Sequence, residues 1–461
     1  MLSLELIDAG LTLAQQRDEA ATVLTVAPGV AVLEEGATLT GDAAAPKLRL
    51  QPLLAQTNFW RGLSTEPLVR PSRLVRTTAD TAFAQASALL DPYKSDADGV
   101  LLAVPAGYSR EQLGLLLGVI NETGVRVAGV VDAALAACSL EAAPARILHL
   151  DLELHQALLT ALDYAGNGLK RNRYEIAPRR GLSALQQTWM QMIAEAFVRN
   201  TRFDPLHDAA SEQRLLNQLP QWLDQLIDSE SITLALQFGD RPLEIELTRA
   251  QFVTAAEPHY AELVKLVQDA RVAGLPIELR VSHRVAALPG LLDRFATLRD
   301  CSVQSLPQGA AALGALLHRQ AIQRAPESLA LVYQLPVARA EGNTTVEYES
   351  TPPQLRPTHV LFQGRAWRIS DAPLAIGWSP PPGRSLVLPS AAPGVSRAHC
   401  LLVRRNGSVL VEDRSTYGSY VNEERVVGQS ILTVGDKLRL GTPGVTLDMI
   451  QLVQDDGAPQ D

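Results

Sequence analysis

The chain has 461 residues, of which 46% are hydrophobic and 20% are charged, and its formal net charge is −9. This length and composition predict a globular protein of two or three domains with enough apolar residues to fill their cores. The acidic balance argues against a general nucleic-acid binder.

Three cysteines are present, Cys138, Cys301 and Cys400. Their spacing fits neither a metal site nor a disulfide framework. The first residues follow a strand pattern rather than that of a secretory signal, and no apolar run is as long as a membrane span. We therefore expect a cytoplasmic protein with no metal site and no membrane span.

The first 322 residues alternate between strand and helix patterns. Residues 99–104 form a continuous apolar run, which predicts a buried strand. A helix is predicted next, because Ser109 and Gln112 have the spacing of a capping box. Asp132 is predicted to cap an alanine-rich helix. Further strands are expected at 146–152 and 157–163, which can pair as a hairpin, at 232–238 and 243–247, which can form a second pair, and at 277–281 and 301–305. Further helices are expected within 183–228, 288–298 and 309–322.

The composition changes after residue 325. Residues 336–358 are polar and aperiodic and contain proline, so we assign 326–358 as a linker after a body that spans 1–325. Strand patterns then continue over 359–453 with turn signals about every eight to twelve residues, which predicts an all-β sandwich. The final residues, 454–461, are predicted to be disordered.

Four short stretches of the body occur in a characteristic order. They are Leu6–Thr12, the apolar strand that ends at Pro105, Val130–Ala137, and Gly309–Ala312 before a helix. Together they resemble the nucleotide-binding domain of DnaK-type heat-shock chaperones, which belongs to the actin-like ATPase superfamily. The resemblance implies an α/β, actin-like, two-lobed body.

The same resemblance implies that Asp8, Gly10, Thr12 and Asp151 correspond to residues of a Mg-ATP site. Leu6–Thr12 would be its first phosphate loop, and the residues after Asp151 would be its second. Such sites hold phosphates with glycine-rich loops, since a backbone without Cβ atoms can bring its N–H groups against the anion. Here Asp151 is followed by Leu-Glu-Leu-His-Gln, without glycine and with a negative charge at Glu153.

The loop after Val281 has also lost its paired glycines. We therefore interpret the four residues as remnants of a nucleotide site and expect no cofactor and no enzymatic activity. The alternative is an ATP-dependent, DnaK-like switch or chaperone, with Mg-ATP as cofactor, whose nucleotide state controls the C-terminal module. A third interpretation, an actin-like assembling protein, ranks last.

Near the C-terminus, three motifs follow one another: Gly394–Cys400, Glu412–Asn422 and Gly435–Gly441. In this order, and joined by alternating strands, they resemble a forkhead-associated (FHA) domain. FHA domains are small β-sandwiches that bind phosphothreonine peptides.

The FHA resemblance implies roles for particular residues. Ser396 would bind the phosphate, with Arg397 and the Thr416 hydroxyl beside it, and His399 would brace the loop from within. Gly377, Gly418 and Asn422 would serve the structure of the motif.

Two positions depart from the family pattern. Trp378 follows Gly377 where the family has arginine, and Tyr417 precedes Gly418 where asparagine is usual. Arg384 is a candidate to replace the missing cation, and Tyr417 itself would border the peptide. One interpretation is a reader of phosphothreonine. The other is a sandwich that binds an unphosphorylated partner or packs on its own body.

The two resemblances together favour a non-catalytic, bacterial-type adaptor or scaffold that binds protein partners. One suggested partner is an active DnaK-type chaperone, because catalytically weak members of this superfamily can pair with active ones. That suggestion rests on the family and not on individual residues.

Overall fold

The computed structural model describes residues 1–17, 20–166, 168–238, 241–271, 275–324, 329–337, 357–381, 383–389, 394–405, 408–422, 424–426, 428–442 and 444–451. The chain divides into two compact units, Met1–Asn343 and Thr344–Asp461. Within the described residues, every helix is too short or too polar to cross a membrane. The predicted disordered tail lies outside the described residues.

The first unit combines strands with all the helices that the structure describes. Its strands are β1 (Leu2–Glu5), β2 (Leu11–Arg17), β3 (Ala20–Ala27), β4 (Ala31–Leu33), β5 (Thr38–Thr40), β6 (Ala55–Gln56), β7 (Val100–Val104), β8 (Val127–Asp132), β9 (Arg146–Leu152), β10 (Gln156–Ala165), β11 (Gly168–Pro178), β12 (Ser231–Phe238), β13 (Arg241–Thr248), β14 (Ile277–Val281), β15 (Cys301–Ser305), β16 (Leu331–Val332) and β17 (Gln334–Leu335). Its helices are α1 (Thr78–Leu90), α2 (Arg110–Glu122), α3 (Ala133–Cys138), α4 (Leu182–Thr201), α5 (Ala209–Asp228), α6 (Arg249–Ala270), α7 (His283–Ala286), α8 (Leu291–Ala296), α9 (Ala310–Leu317) and α10 (Arg319–Ile322).

Two sheets of the first unit share one topology. The first has the strand order β3-β2-β1-β7-β8, with β16 beyond β8, and the second has the order β11-β10-β9-β14-β15, with β17 beyond β11. In each sheet three strands form an antiparallel meander. A fourth strand, β7 or β14, pairs in parallel with the first strand of the meander, and a fifth, β8 or β15, pairs in parallel with the fourth. The chain therefore builds the same five-stranded arrangement twice.

A short helix follows the last parallel strand of each copy, and these two helices pack together. Helix α3 begins after Asp132, whose Oδ1 accepts a hydrogen bond from the Leu135 N–H at 3.0 Å, so this predicted N-cap is confirmed. Helix α9 lies so close that a Cβ atom on Gly314 would be 1.8 Å from the carbonyl oxygen of Ala136. The small residues of both helices permit this approach.

Several local predictions for the first unit are confirmed. Ser109 and Gln112 form the capping box of α2, and β9 and β10 pair as an antiparallel hairpin. The run at 99–104 becomes the buried strand β7. These signals are local in the sequence, which explains why they could be recognised.

The helical pattern over 183–228 is confirmed as two helices, because Arg202 ends α4 in the left-handed conformation (φ 65°) and Asp208 then caps α5. Other segments differ from the predictions. The helix predicted at 288–298 is shortened to α8, since Gly290 with φ 74° precedes it. Helix α1 and the hairpin of β2 and β3 were not predicted.

The predicted linker 326–358 overlaps the first unit. Strand β16 pairs with β8 and β17 pairs with β11, so this segment adds an edge strand to each of the two sheets. A strand of two residues is too short to show a periodic pattern, and the strands it pairs with lie far away in the sequence. The segment was therefore interpreted as a linker from its composition. Most of the remaining linker residues lie outside the described part of the chain.

The described residues of the second unit form two β-sheets. Their strands are β18 (His359–Phe362), β19 (Arg365–Arg368), β20 (Leu374–Gly377), β21 (Ser385–Val387), β22 (Cys400–Arg405), β23 (Ser408–Asp413), β24 (Ser419–Val421), β25 (Glu424–Arg425), β26 (Gln429–Leu432), β27 (Lys437–Leu440) and β28 (Val445–Ile450). One sheet has the order β19-β18-β28-β27-β24-β25 and the other β21-β20-β22-β23-β26.

The core of the second unit draws on both of its sheets. Val360, Leu438 and Leu447 come from one sheet, and Ile376 and Leu402 from the other; all five are fully buried in one apolar cluster. This arrangement is the all-β sandwich that the alternating patterns predicted.

The contact between α3 and α9 gives a test of the first unit. We expect Gly314→Ala to lower the free energy of unfolding by about 1–3 kcal/mol, because the added methyl group meets a backbone carbonyl. Chemical denaturation followed by helical circular dichroism reports on the first unit, where the described helices lie.

Gly118→Ala in α2 is the matched control, since a Cβ atom there would have no heavy atom within 4 Å. It should raise stability by about 0.5–1 kcal/mol, as expected for glycine replaced inside a helix. Equal effects of the two substitutions would contradict the close packing.

Candidate functional site

A buried arginine connects the two sheets of the first unit. Arg284 lies in α7, directly after β14, and only 8% of it is exposed. Its Nη2 donates to Glu5 Oε1 at 2.5 Å and to the carbonyl oxygen of Gly10 at 3.1 Å. Its Nη1 lies 3.3 Å from both carboxylate oxygens of Asp151. The guanidinium thus joins β1 of the first sheet to β9 of the second.

The carboxylates on either side are also buried, Glu5 at 3% exposure and Asp151 at 5%. Burial raises the pKa of Asp151, but Arg284, His149 and the Ser282 side chain together lower the pKa by more, so the net shift is downward. The second oxygen of Glu5 accepts hydrogen bonds from the N–H groups of Ala311 and Ala312 at the start of α9. These contacts satisfy the charges inside the protein.

The polar groups of the first predicted phosphate loop also form hydrogen bonds within the protein. The N–H of Gly10 donates to the carbonyl of Ile7 in a tight turn. The hydroxyl of Thr12 donates to the carbonyl of Gly10 at 3.2 Å, and Thr12 is completely buried. The structure therefore brings Asp8, Gly10, Thr12 and Asp151 to one region, but the groups described here bind other parts of the chain.

The second predicted phosphate loop has its backbone donors engaged as well. The N–H of Leu152 donates to Asp151 Oδ1, and that of Glu153 donates to the carbonyl of Gln156. The N–H of Leu154 donates to Asp8 Oδ1 at 2.6 Å. A phosphate loop needs such N–H groups to face the anion, and here three in succession are used within the protein.

Two acidic side chains meet beside this loop. Burial raises the pKa of Asp8 to about 6, although the Leu154 N–H opposes the shift. Burial and the neighbouring Asp8 raise the pKa of Glu153 to about 8. A region that already penalises negative charge to this extent is unfavourable for a polyphosphate.

In the second unit, His399 braces the loops as predicted from the motif. Its Nδ1 accepts the Ser396 N–H at 2.9 Å, and its Nε2 lies 3.1 Å from the carbonyl oxygen of Gly418. A backbone N–H can only donate, so Nδ1 is the unprotonated nitrogen and Nε2–H donates to Gly418. Burial lowers the pKa of His399, which keeps the ring neutral.

The bracing places two predicted phosphate contacts together. The Ser396 hydroxyl oxygen accepts the N–H of Thr416 at 3.2 Å. Thr416 is exposed and Ser396 is half-buried. The two hydroxyl-bearing residues come from separate loops and meet at the surface, as the interpretation of a phosphate site requires.

Arg397 is exposed and adjoins Trp378. Its guanidinium carbon lies 5.3 Å from the centre of the Trp378 ring, a cation–π distance. Gly377 permits this arrangement, because a Cβ atom there would be 2.0 Å from the Arg397 carbonyl oxygen. The tryptophan that replaces the family's arginine thus lies against the next arginine along the site.

Arg384 is directed elsewhere, which corrects its proposed role as the replacement cation. Its guanidinium donates to the carbonyl oxygens of Arg368 and Ala372 at 2.5 and 2.7 Å and also contacts the Ser370 hydroxyl. It therefore closes the connection between β19 and β20. The sequence shows that Arg384 belongs to the loop after Trp378, but it does not show where the side chain binds.

The loop of Tyr417 and Gly418 has a hydrogen-bonded base and an exposed tip. Gly418 adopts φ 82° and donates its N–H to Ser415 Oγ at 2.7 Å. Tyr417 beside it is 56% exposed. Asn422 adopts φ 48°, and its side chain bonds to the Lys437 N–H and to Asp436, so it serves the turn.

Sequence reasoning missed Glu5 and the role of Arg284. Glu5 lies inside an apolar strand, where a single acidic residue breaks the pattern. That irregularity was the available signal, since a buried carboxylate requires a partner. Within the described residues, no three His, Cys, Asp or Glu side chains are grouped as a metal site would require.

Comparison with known families identifies one part of the chain. The family model of the FHA domain matches residues 374–441, from the start of β20 to the residue after β27. This part of the chain is therefore an FHA domain. A search of curated proteins found no match to the chain.

The buried ion pairs of Arg284 give a second test. Arg284→Met would leave Glu5 and Asp151 as uncompensated buried carboxylates. We expect the free energy of unfolding of the first unit to fall by about 3–5 kcal/mol, measured by urea denaturation.

Lys94→Met is the control, because the Lys94–Asp91 pair is about half exposed on both sides. Its loss should change the free energy by less than about 1 kcal/mol. A comparably small effect for Arg284→Met would contradict the role assigned to this arginine.

Proposed function

We propose that this protein is a non-catalytic adaptor whose FHA domain binds a phosphothreonine-containing partner protein. The observation that carries the proposal is the meeting of Ser396 and Thr416 at the surface, with the Arg397 side chain exposed beside them. The hydroxyl groups of Ser396 and Thr416 and the guanidinium of Arg397 are donors of the kinds that a phosphate monoester requires.

The rigidity of these loops supports the proposal. His399 is fully buried and holds the loop of Ser396 to that of Gly418. Recognition by preformed loops avoids the entropy cost of ordering them on binding. Burial lowers the pKa of His399, which favours the neutral ring that this brace uses.

For the first unit we propose a degenerate actin-like fold. The repeated topology of the two sheets supports it, as does the pairing of α3 with α9. An adaptor could use such a body to bind a complete DnaK-type chaperone, a partner that rests on the family resemblance alone.

We further propose that this body has no nucleotide turnover. Its residues do not fit a magnesium nucleotide, because Arg284 already neutralises Asp151 and the N–H groups after Asp151 are engaged. The competing ATP-dependent switch requires that these contacts break, which would expose a buried arginine and two carboxylates.

A titration of the full chain with Mg-ATP and Mg-ADP tests this proposal. We expect no binding at micromolar concentrations by isothermal titration calorimetry, because the donors that would hold the phosphates are engaged. A dissociation constant below about 10 μM, or roughly −7 kcal/mol, would instead support the ATP-dependent switch.

The FHA domain is tested with a phosphothreonine peptide library by fluorescence anisotropy. We expect capture of phosphorylated but not unphosphorylated peptides. Ser396→Ala and Arg397→Ala should each weaken capture about tenfold or more, since each removes a donor to a charged group. Tyr417→Asn should strengthen capture, because it adds the amide that the family has at this exposed position.

Ser430→Ala in the outer strand β26 is the matched control and should leave capture unchanged, with melting curves recorded for every variant. Equal capture of phosphorylated and unphosphorylated peptides would overturn the phosphothreonine proposal. The FHA domain would then be a sandwich that binds an unmodified partner.

A further inference from the structure

A cavity of about 390 Å³ lies beside the loop of Glu153 in the first unit. Asp8, Glu153 and Gln156 contribute its polar wall, and Trp60, Tyr108 and Ile176 contribute much of the rest. Its volume is within the range of pockets that take small molecules. The ion pairs of Arg284 do not use this cavity, since neither Arg284 nor its partners Glu5 and Asp151 line it.

Two buried acceptor atoms of this polar wall lack a hydrogen-bond donor. Asp8 and Gln156 are only 3% and 4% exposed, yet Asp8 Oδ2 and Gln156 Oε1 have no hydrogen-bond partner among the described residues. The other oxygen of Asp8 accepts the Leu154 N–H, and the amide nitrogen of Gln156 donates to Glu153. The two remaining atoms are buried acceptors that face no donor among the described residues, and a ligand that donates hydrogen bonds would satisfy them.

The aromatic residues of the cavity do not supply that donor. The indole N–H of Trp60 donates to Gln85, and the Tyr108 hydroxyl donates to the carbonyl oxygen of Trp60. Both residues therefore offer carbon surface to the cavity. Among its described lining, Arg61 is the single cationic side chain, against the two carboxyl groups of Asp8 and Glu153.

We infer that this cavity binds a small organic ammonium ion, with its charged nitrogen at Asp8, Glu153 and Gln156 and its apolar body against Trp60 and Tyr108. An ammonium group supplies several donors and the opposite charge, and aromatic walls suit organic cations. An anion would meet two carboxyl groups. A metal ion would find fewer than three His, Cys, Asp or Glu ligands grouped within the described residues.

Isothermal titration of the full chain with 2-phenylethylamine tests the inference, and 2-phenylethanol serves as the uncharged analogue of the same shape. We expect saturable binding of the amine, with the alcohol weaker by about tenfold or more, because only the amine pairs with the carboxyl groups. Equal binding of both, or no binding of the amine, would overturn the inference. Binding of Mg²⁺ that displaces the amine from these residues would also overturn it.

Variants locate the site. Asp8→Asn keeps an oxygen for the Leu154 N–H but replaces the unpartnered acceptor with a donor, and Glu153→Gln removes the second carboxyl group. Each should weaken amine binding about tenfold or more. Asp98→Asn makes the same chemical change at an exposed residue outside the cavity and should have no effect.

Circular dichroism and melting curves show whether each variant is folded. Should Asp8→Asn fail to fold, Glu153→Gln decides alone, since its side chain lacks the backbone contact that Asp8 makes. Unchanged amine binding in folded Glu153→Gln would place the amine elsewhere and refute the site.

Discussion

The first unit depends on one electrostatic constraint, the neutralisation of buried Glu5 and Asp151 by Arg284. Each carboxylate lies in the first strand of its meander, so the guanidinium connects the two sheets at equivalent points. Buried charges are costly unless they are paired and hydrogen-bonded, and here Glu5 is further held by the N–H groups of α9. The protein thus satisfies these two carboxylates with contacts of its own, and none of the three paired side chains lines the cavity beside Glu153.

The loops of the two units are held in place by different kinds of contact. In the FHA domain a neutral, buried His399 links two loops and leaves their outer side chains free. In the first unit the loop of Glu153 is held through its backbone, because Gly181 allows the start of α4 to approach it and the carbonyls of Glu153 and Leu154 accept N–H groups there. The first arrangement leaves loop side chains such as Thr416 and Tyr417 exposed, and the second uses backbone groups of the loop within the protein.

Sequence reasoning succeeded where the determining contacts are local. The caps at Ser109 and Asp132 and the hairpin of β9 and β10 each depend on residues close in the chain. The FHA motifs were also recognisable, because their order and spacing are fixed by the turns between strands. The contacts that side chains make with residues distant in the sequence or in other loops could not be predicted. Arg384 binds backbone carbonyls of its own sheet connection, and Arg284 reaches a glutamate 279 residues away. No pattern within a window of sequence contains that information.

The two short strands β16 and β17 have a mechanical consequence. They join opposite sheets of the first unit, β16 at β8 and β17 at β11, and the chain continues from them toward the second unit. Tension applied through the FHA domain would therefore reach these two ladders before any other part of the first unit. Each ladder is two residues long, so they would yield at low force while the ten-residue pairing of β10 with β11 remained intact. Under such tension the two ladders would open before the ion pairs of Arg284.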